Sequence, residues 1–446
     1  MKFYEENLQT IVAYFRQGAQ SAPTNKLGVE VEHFAVHTSN NAPVYYDESH
    51  RQNAASTSEN TEGSGELNVA AVLKHLSQFY EQKLYGIEND LIGLKSPEAS
   101  ITLEPAAQLE ISIAPFASID KIVSVYNAFR QRVDPFLEAH GCKLITLGYH
   151  PSTRAADLPL IPKKRYQLMD KYFNILSTEG KRMMRASASV QVSVDYTNEA
   201  DAIRKMRIAQ ALAPILSCIC DNVCVFESKP TNKRLERFCM WRDVDTKRCC
   251  AVPGLFSEGY NFETYAKWLL ETSPIFVTHT SSDNKSGLEL EYVGNTPACE
   301  AYNTSPMTQT DVEHLLSMFW PDVRLKNFIE IRPADSMEIN QVAGYAALIK
   351  GLFYSEEAMQ KIENALGVKN DKWPFDNNTT DATMNAIRKC ELNATFAGKT
   401  VAEWVHFLFE VAKENLSSVD TAHLDKLENW FYAQARNMKQ AESSAR

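Results

Sequence analysis

Long apolar runs are missing from this chain. No uninterrupted stretch approaches the ~20 residues that span a bilayer, and the charged start Met1-Lys2-Phe3-Tyr4-Glu5-Glu6-Asn7 lacks the apolar core of a signal peptide. The expected setting is therefore cytoplasmic, with no membrane partner. An excess of positive charge is missing too: 46 Lys and Arg stand against 56 Asp and Glu, a net charge of −10. That balance excludes a general nucleic-acid binder, which needs clustered cations to displace counterions. It leaves open a small phosphate-bearing substrate, for which only the local site counts. The nine cysteines show neither disulfide-framework nor zinc spacing. Cys218, Cys220 and Cys224 follow an apolar segment, and Cys249 and Cys250 are adjacent, so both groups read as buried free thiols. A Walker A loop and a dinucleotide fingerprint are also absent, so any nucleotide is expected to be held mainly through its metals.

What the chain does have is a repeated strand design. In Gln108-Leu109-Glu110-Ile111-Ser112-Ile113, polar and apolar residues alternate without a break. Successive strand side chains point to opposite faces, so Gln108, Glu110 and Ser112 share one face and the three aliphatics share the other. Glu104, before the Pro105 turn, is expected at the mouth of the same surface. Three more stretches repeat the pattern: Gly28 to Phe34 with Glu30 and Glu32, Ser189 to Asp195 with Gln191 and Ser193, and Phe328 to Arg332 with Glu330 beside Arg332. One such strand describes any half-solvated sheet. Four of them, with carboxylates that are otherwise depleted in strands, imply a sheet whose polar face is an acidic cleft. Clustered carboxylates must be protonated, paired or bound to metal, and hard oxygen donors select Mg2+ or Mn2+.

The 446 residues, 44% hydrophobic and 23% charged, suit one large domain or two to three smaller ones. Helical spacing predicts helices over 1–20, 69–85, 119–139 and 204–220, and an all-helical tail over 354–446. Residues 36–46 read as a hairpin partner of the first acidic strand, 143–148 as a buried strand, and 51–66, rich in Ser, Asn, Thr and Gly, as a mobile surface loop. The fold class is α+β: an antiparallel sheet flanked by helices, with a catalytic region over 1–355 and a helical region over 356–446 packed on it as one structural domain.

The motifs Gly28-Val29-Glu30-Val31-Glu32, Gly93-Leu94-Lys95, Ile101-Thr102-Leu103-Glu104-Pro105, Gln108-Leu109-Glu110, Pro162-Lys163, Arg165-Tyr166, Val190-Gln191-Val192, Arg204-Lys205-Met206-Arg207, Pro321 to Lys326 and Glu330-Ile331-Arg332 occur in one order. In that order they resemble the plant-type glutamate–cysteine ligases, a family that also has bacterial members, among which this chain reads as one. The resemblance implies a glutamine-synthetase-like sheet forming a funnel around Mg2+ (or Mn2+) and the co-substrate ATP. It implies ligation of the L-glutamate γ-carboxylate to the amine of L-cysteine through a γ-glutamyl phosphate, the first step toward glutathione or a related thiol. By motif correspondence Glu30, Glu32, Glu104, Glu110, Gln191 and Glu330 are the expected metal ligands, with Glu110 and Glu330 also counted as catalytic. Arg332 is expected to stabilise the transferring phosphoryl group, Lys163 and Arg165 to contact ATP phosphates, Arg237 to bind the glutamate carboxylate, and Trp241 to form a wall. The family's paired glycines are Ala106-Ala107 here, the Asn after Gln-Val is Ser193, an upstream Arg falls on Ala186 beside Arg185, Phe238-Cys239 replace Ser-His, and Pro333 replaces Gly. These departures bear on the acceptor pocket more than on ATP-dependent activation. Competing readings are a γ-glutamyl ligase with another amine acceptor, a metal-dependent phosphohydrolase, and a catalytically silent binding protein; the expected assembly is a monomer or homodimer.

Overall fold

The structure is a computed structural model that describes residues 2–47, 67–86, 90–280 and 288–445. The loop expected over 51–66 lies outside the described residues. Nine strands build the main sheet: β1 Leu27–His37, β2 Gln82–Tyr85, β3 Leu91–Lys95, β4 Ala99–Leu103, β5 Leu109–Phe116, β6 Cys142–Ile145, β7 Val190–Val194, β8 Val323–Leu325 and β9 Ile329–Ile331. Their order is β8-β9-β7-β1-β5-β4-β3-β2, with β6 pairing the second half of β1, and every pairing is antiparallel.

One register explains both faces. Glu32 lies opposite Glu110, Glu30 opposite both Ser112 and Gln191, Gly28 opposite Ser193, and Ser193 opposite Glu330. With a side-chain period of two, all of these point to the same side. On the other side Val29, Val31, Ile111, Val192, Ile329 and Ile331 are fully buried, each burial stabilising by roughly 1.5–3 kcal/mol. That face packs on α3 (Ile119–Glu138) and α8 (Ile339–Phe353). His33 points into this core, with its two ring nitrogens 2.9 Å from the Leu109 carbonyl and the Tyr126 hydroxyl.

Before α3 come α1 (Tyr4–Gln17) and α2 (Val69–Leu76); between α3 and α8 come α4 (Lys164–Leu176), α5 (Glu179–Ala186), α6 (Glu199–Ile219) and α7 (Glu236–Arg242), together with three unnumbered helices, Phe262–Glu271, Ala298–Ala301 and Gln309–Leu316. After α8 come α9 (Glu356–Leu366), α10 (Asn377–Cys390), α11 (Val401–Lys413) and α12 (Ser418–Ala445). Two short strands, Thr395–Phe396 and Lys399–Thr400, interrupt the helical tail, and the second runs into the Thr400–Glu403 capping box that starts α11. The tail is drawn close to α8 by glycine. A Cβ on Gly344 would stand 2.5 Å from the Leu427 Cβ, and one on Gly351 would stand 2.7 Å from the Ala412 carbonyl. Two further expectations are corrected. β1 continues to His37, and residues 36–46 pair back on it only through an isolated antiparallel bridge from Val36 to Pro43, in which the Val44 N–H donates to the Ala35 carbonyl and the His37 N–H to the Ala42 carbonyl, both at 2.9 Å. The helix after Asn68 ends at Leu76, and Gln82–Tyr85 is instead the edge strand β2, since Gln82-Lys83-Leu84-Tyr85 pairs along β3.

The cysteines form no disulfide among the described residues, and Cys218, Cys220 and Cys249 are buried as expected. Cys224 is exposed, because it lies beyond the helix that ends at Ile219, and Cys250 is half-buried, because it is the second residue of a short strand on which successive side chains alternate faces.

Candidate active site

The polar sheet face opens into a cavity of about 200 Å³. Its lining includes Glu30, Glu32, Glu104 and Glu110 on the acidic side, and Arg165, Arg237, Arg324, Lys326 and Arg332 on the basic side. The two signs come from different elements. The acids stand on β1, β5 and the turn after β4, whereas the cations come from β8, β9 and the helices α4 and α7 that rim the sheet.

Glu32 is the best supported carboxylate. It accepts hydrogen bonds from the Ser189 backbone N–H at 2.8 Å, the Ser189 hydroxyl at 2.9 Å and the Gln191 amide at 3.3 Å. Glu110 accepts from the Ser112 hydroxyl at 2.6 Å and shares a hydrogen bond with Glu104. Burial and their neighbours' negative charge push Glu30 up to about 8, Glu32 and Glu110 up to about 7, and Glu104 in the same direction.

The donor set facing the cavity is carboxylate and amide oxygen, the chemistry that suits Mg2+ or Mn2+. A divalent cation would relieve the repulsion that raises these acids, so the residues present fit it. No three of these carboxylates bring oxygens within 4.8 Å of one another; among the described residues the group that does is His406, Glu410 and Glu428 on the C-terminal helices. Lys413 already binds Glu428 there, at 2.5 Å.

These shifts set a pH dependence whose sign is definite. Carboxyls with folded-state values above the ordinary 4.5 hold protons that the unfolded chain has released, so their contribution to stability falls as pH rises through about 7 to 8. Asp335 and Asp221, raised to about 6 and about 8, act in the same direction. Glu330, held well below 4.5 by its cations, contributes fully across this window and does not oppose the trend. The metal-free protein is expected to lose melting temperature between pH 5.5 and 8, with Mg2+ restoring more at pH 8 than at 5.5. Thermal melts at both pH values, with and without Mg2+, check this, and equal metal stabilisation at the two would contradict it.

Two predicted ligands are placed differently from the rest. Glu330 has no exposed side-chain surface and lies among Arg324 (2.7 Å), Lys326 (3.1 Å) and Arg332 (2.9 Å). Gln191 accepts a hydrogen bond from Arg332 at its carbonyl oxygen and donates from its amide nitrogen to Glu32. Both oxygens expected to meet a metal are thus occupied by cationic side chains of the same sheet face.

Arg165 reaches the cavity, anchored on the Ser317 hydroxyl (3.0 Å) and carbonyl (2.7 Å). Lys163 does not line it; its ammonium stands 4.6 Å over the Tyr166 ring, under the attraction of Glu104. Arg237 is buried behind the rim, 3.7 Å from Asp335, and Trp241 on the same helix walls the cavity. Arg185 does not stand in for the missing Arg at Ala186. Its guanidinium pairs with Asp170 at 2.6 Å and with the Leu158 carbonyl, which ties α5 to α4.

Sequence reasoning passed over Arg324, Lys326 and Ser189 as site residues. The signal for the first two is the same alternation, since they follow buried Val323 and Leu325 in turn. Met169, Met183 and Met184 also line the cavity, and nothing in their helical spacing sets them apart from core residues.

A second hollow of about 440 Å³ lies further along the same face, over Gly28 and Ser193, with Glu30 common to both linings. Its walls include Val29, Pro115, Phe328, Asp195 and Lys26. It exists because two small residues face each other across β1 and β7, where the neighbouring rows carry Glu and Gln.

Residues 26–413 match the model of glutamate-cysteine ligase family 2. The chain belongs to that family. Among similar proteins, glutamate–cysteine ligase B, chloroplastic, from Oryza sativa subsp. japonica is 29% identical over 359 residues, covering 80% of this chain and 68% of the relative. The chloroplastic glutamate–cysteine ligase of Arabidopsis thaliana is 28% identical over 358 residues, covering 79% and 64%, and that of Medicago truncatula is 25% identical over 410 residues, covering 92% and 75%. A crystal structure of glutamate–cysteine ligase from Francisella tularensis in complex with AMP matches with a TM-score of 0.53 at 11% identity, over 94% of this chain and 82% of that one. That likeness concerns the fold, an α+β arrangement of a large antiparallel sheet with flanking helices. No helix among the described residues is long and apolar enough to cross a membrane.

Proposed function

We infer that this chain ligates the γ-carboxylate of L-glutamate to the amine of L-cysteine, with ATP converted to ADP and phosphate. The observation that carries the reading is the division of one sheet face into four carboxylates and a facing set of guanidinium and ammonium groups, on a sheet of this family. Phosphoryl transfer asks for such neutralisation and positioning more than for a protein nucleophile.

In this reading Glu30, Glu32 and Glu110 hold Mg2+ or Mn2+, with Glu104 beside them. When bound, the metal neutralises phosphate oxygens and polarises the γ-phosphoryl group. Arg237 holds the glutamate carboxylate against Trp241, fixed from behind by Asp335. A γ-carboxylate oxygen attacks the γ-phosphorus and the bond to the β-phosphate bridging oxygen breaks, releasing ADP. The neutral amine nitrogen of the acceptor then attacks the carbonyl carbon of the γ-glutamyl phosphate; phosphate departs and the nitrogen gives up one proton. Arg332 and Arg165 offset the charge on the moving phosphoryl group.

The hollow over Gly28 takes the nucleoside, with Phe328 and Pro115 as apolar walls. A Cβ added at Gly28 would lie 3.5 Å from the Ser193 Cβ, an ordinary contact. Gly28→Leu is therefore expected to fold, to fill the hollow and to raise the KM for ATP about tenfold, or ~1.4 kcal/mol, with the KM for glutamate within about twofold. A KM for ATP that stays unchanged removes the nucleoside from this hollow.

The deciding assay is ADP release with Mg-ATP and L-glutamate, with and without L-cysteine and with other amines. Cysteine-dependent release with a γ-glutamylcysteine product supports the reading. Preference for another amine keeps the mechanism and changes the acceptor, and glutamate-independent release favours a phosphohydrolase.

A further inference from the structure

The residue that sequence motifs place among the metal ligands is the most cation-crowded carboxylate of the site. β8 and β9 pair so that Arg324 lies directly opposite Glu330. The Arg324 Nε donates to one Glu330 oxygen at 2.8 Å and its Nη2 to the other at 3.0 Å, while its Nη1 is used on the Phe319 carbonyl at 2.9 Å. This guanidinium is thus spent almost wholly on protein acceptors. Lys326, two residues on and on the same face, donates once, at 3.1 Å. Arg332 donates from Nη1 to Glu330 at 2.9 Å and to Gln191. Its Nε and Nη2, like the other two hydrogens of Lys326, have no hydrogen-bond partner among the described residues, although the Lys326 ammonium also stands 5.0 Å over the Phe328 ring, and both side chains line the cavity.

A carboxylate has about four acceptor sites, and those of Glu330 are taken by N–H donors. A divalent cation here would have to displace one of them and sit beside three positive charges. The acids across the cleft present the opposite case, since Glu32 and Glu110 accept only from neutral groups.

We propose that Glu330 is a positioning residue, not a metal ligand. Arg324 locks it, and it in turn holds Lys326 and Arg332 as a two-pronged clamp whose spare N–H groups grip the phosphoryl group in transfer. The identity of that anion rests on the ligase reading; the division of labour between metal and clamp does not.

The test uses the full chain and two probes, Mn2+ followed by electron paramagnetic resonance without nucleotide, and inorganic tripolyphosphate followed by calorimetry without metal. Glu330→Gln is expected to leave Mn2+ affinity within about twofold, whereas Glu110→Gln lowers it at least tenfold. Lys326→Ala, at the rim and more readily tolerated, is expected to weaken tripolyphosphate about tenfold with Mn2+ binding unchanged. Glu330→Gln is expected to weaken tripolyphosphate as well, since both prongs lose their anchor. Loss of Mn2+ affinity in Glu330→Gln matching that of Glu110→Gln overturns the proposal. Unchanged tripolyphosphate binding in Lys326→Ala overturns it too, and this measurement stands if Glu330→Gln does not fold. Absence of glutamate-dependent ADP release in the wild type would refute the ligase reading while leaving both titrations interpretable.

Discussion

Arg332→Lys is expected to lower kcat on the order of 10²–10³-fold, the scale of losing one preorganised donor at a developing oxyanion, with the KM for ATP changed by no more than a few-fold. The guanidinium does two things at once. One nitrogen bridges Gln191 and Glu330, and the rest of the fork stays free toward the cavity. A lysine ammonium can reach one of these positions as a point charge, but it cannot bridge two acceptors and still present a planar pair of donors. The charge survives, so ground-state attraction for ATP largely survives, and the loss falls on the geometry of the transition state. Steady-state kinetics with saturating glutamate and cysteine separate the two constants. A kcat near that of the wild type would remove Arg332 from the chemistry, and a melting temperature within a few degrees of wild type would show that the loss is not one of folding.

Glu110→Gln is expected to reduce affinity for Mg2+ or Mn2+ roughly 100-fold or more, beyond what is typical of outer-shell partners, and to abolish turnover at millimolar metal. Glu110 faces Glu32 across β1 and β5 and shares a hydrogen bond with Glu104, so it stands at the centre of the acidic side. The substitution keeps size and strand geometry. It also removes one of the mutually repelling groups, so the metal-free variant should melt at a higher temperature than the metal-free wild type at pH 8. That pairing of weaker metal binding with greater metal-free stability is the signature of a ligand carboxylate. A structural carboxylate would lose stability instead. Calorimetric metal titration and thermal melts on the same preparation decide between them.

Strand alternation was enough to read which residues share the polar face. Glu30, Glu32, Glu110, Gln191 and Glu330 all point to one side, because a period of two follows from the strand itself and needs no tertiary information. Arg324 and Lys326 obeyed the same rule, alternating with buried Val323 and Leu325; the stretch was short enough to pass as a motif without a role. The bounds of α3 were legible for a similar reason, since Ser118 caps its first turn from within the local sequence; α6 was expected from Arg204 but starts at Glu199, behind the Asn198 cap, because its polar first turn carries no apolar periodicity.

Neighbours across the sheet were not legible. Residues 36–46, adjacent in sequence, pair with β1 only at the Val36–Pro43 bridge, while strands 80 to 160 residues away take both edges of its first half. The roles of Lys163, Arg165 and Arg185 turned on helix orientation. Arg165 and Lys163 are two apart at the start of α4, so they diverge around the helix, and only Arg165 lines the cavity. The hollow over Gly28 required two small residues on different strands to meet.

What the sequence determined by itself is the chemical character of the site: an oxygen-donor, carboxylate-rich sheet face with an arginine beside it. What only the tertiary structure decided is which charges meet. Glu330 carries the same side chain, the same alternation and the same face as Glu30. Yet β8 lays Arg324 against it, and Lys326 and Arg332 close around it, while on Glu30 the carboxylates Glu110 and Glu330 act more strongly than the cations Lys326 and Arg324. A carboxylate's function is set by the sign of the charge a few ångströms away, and that distance is fixed by strand pairing.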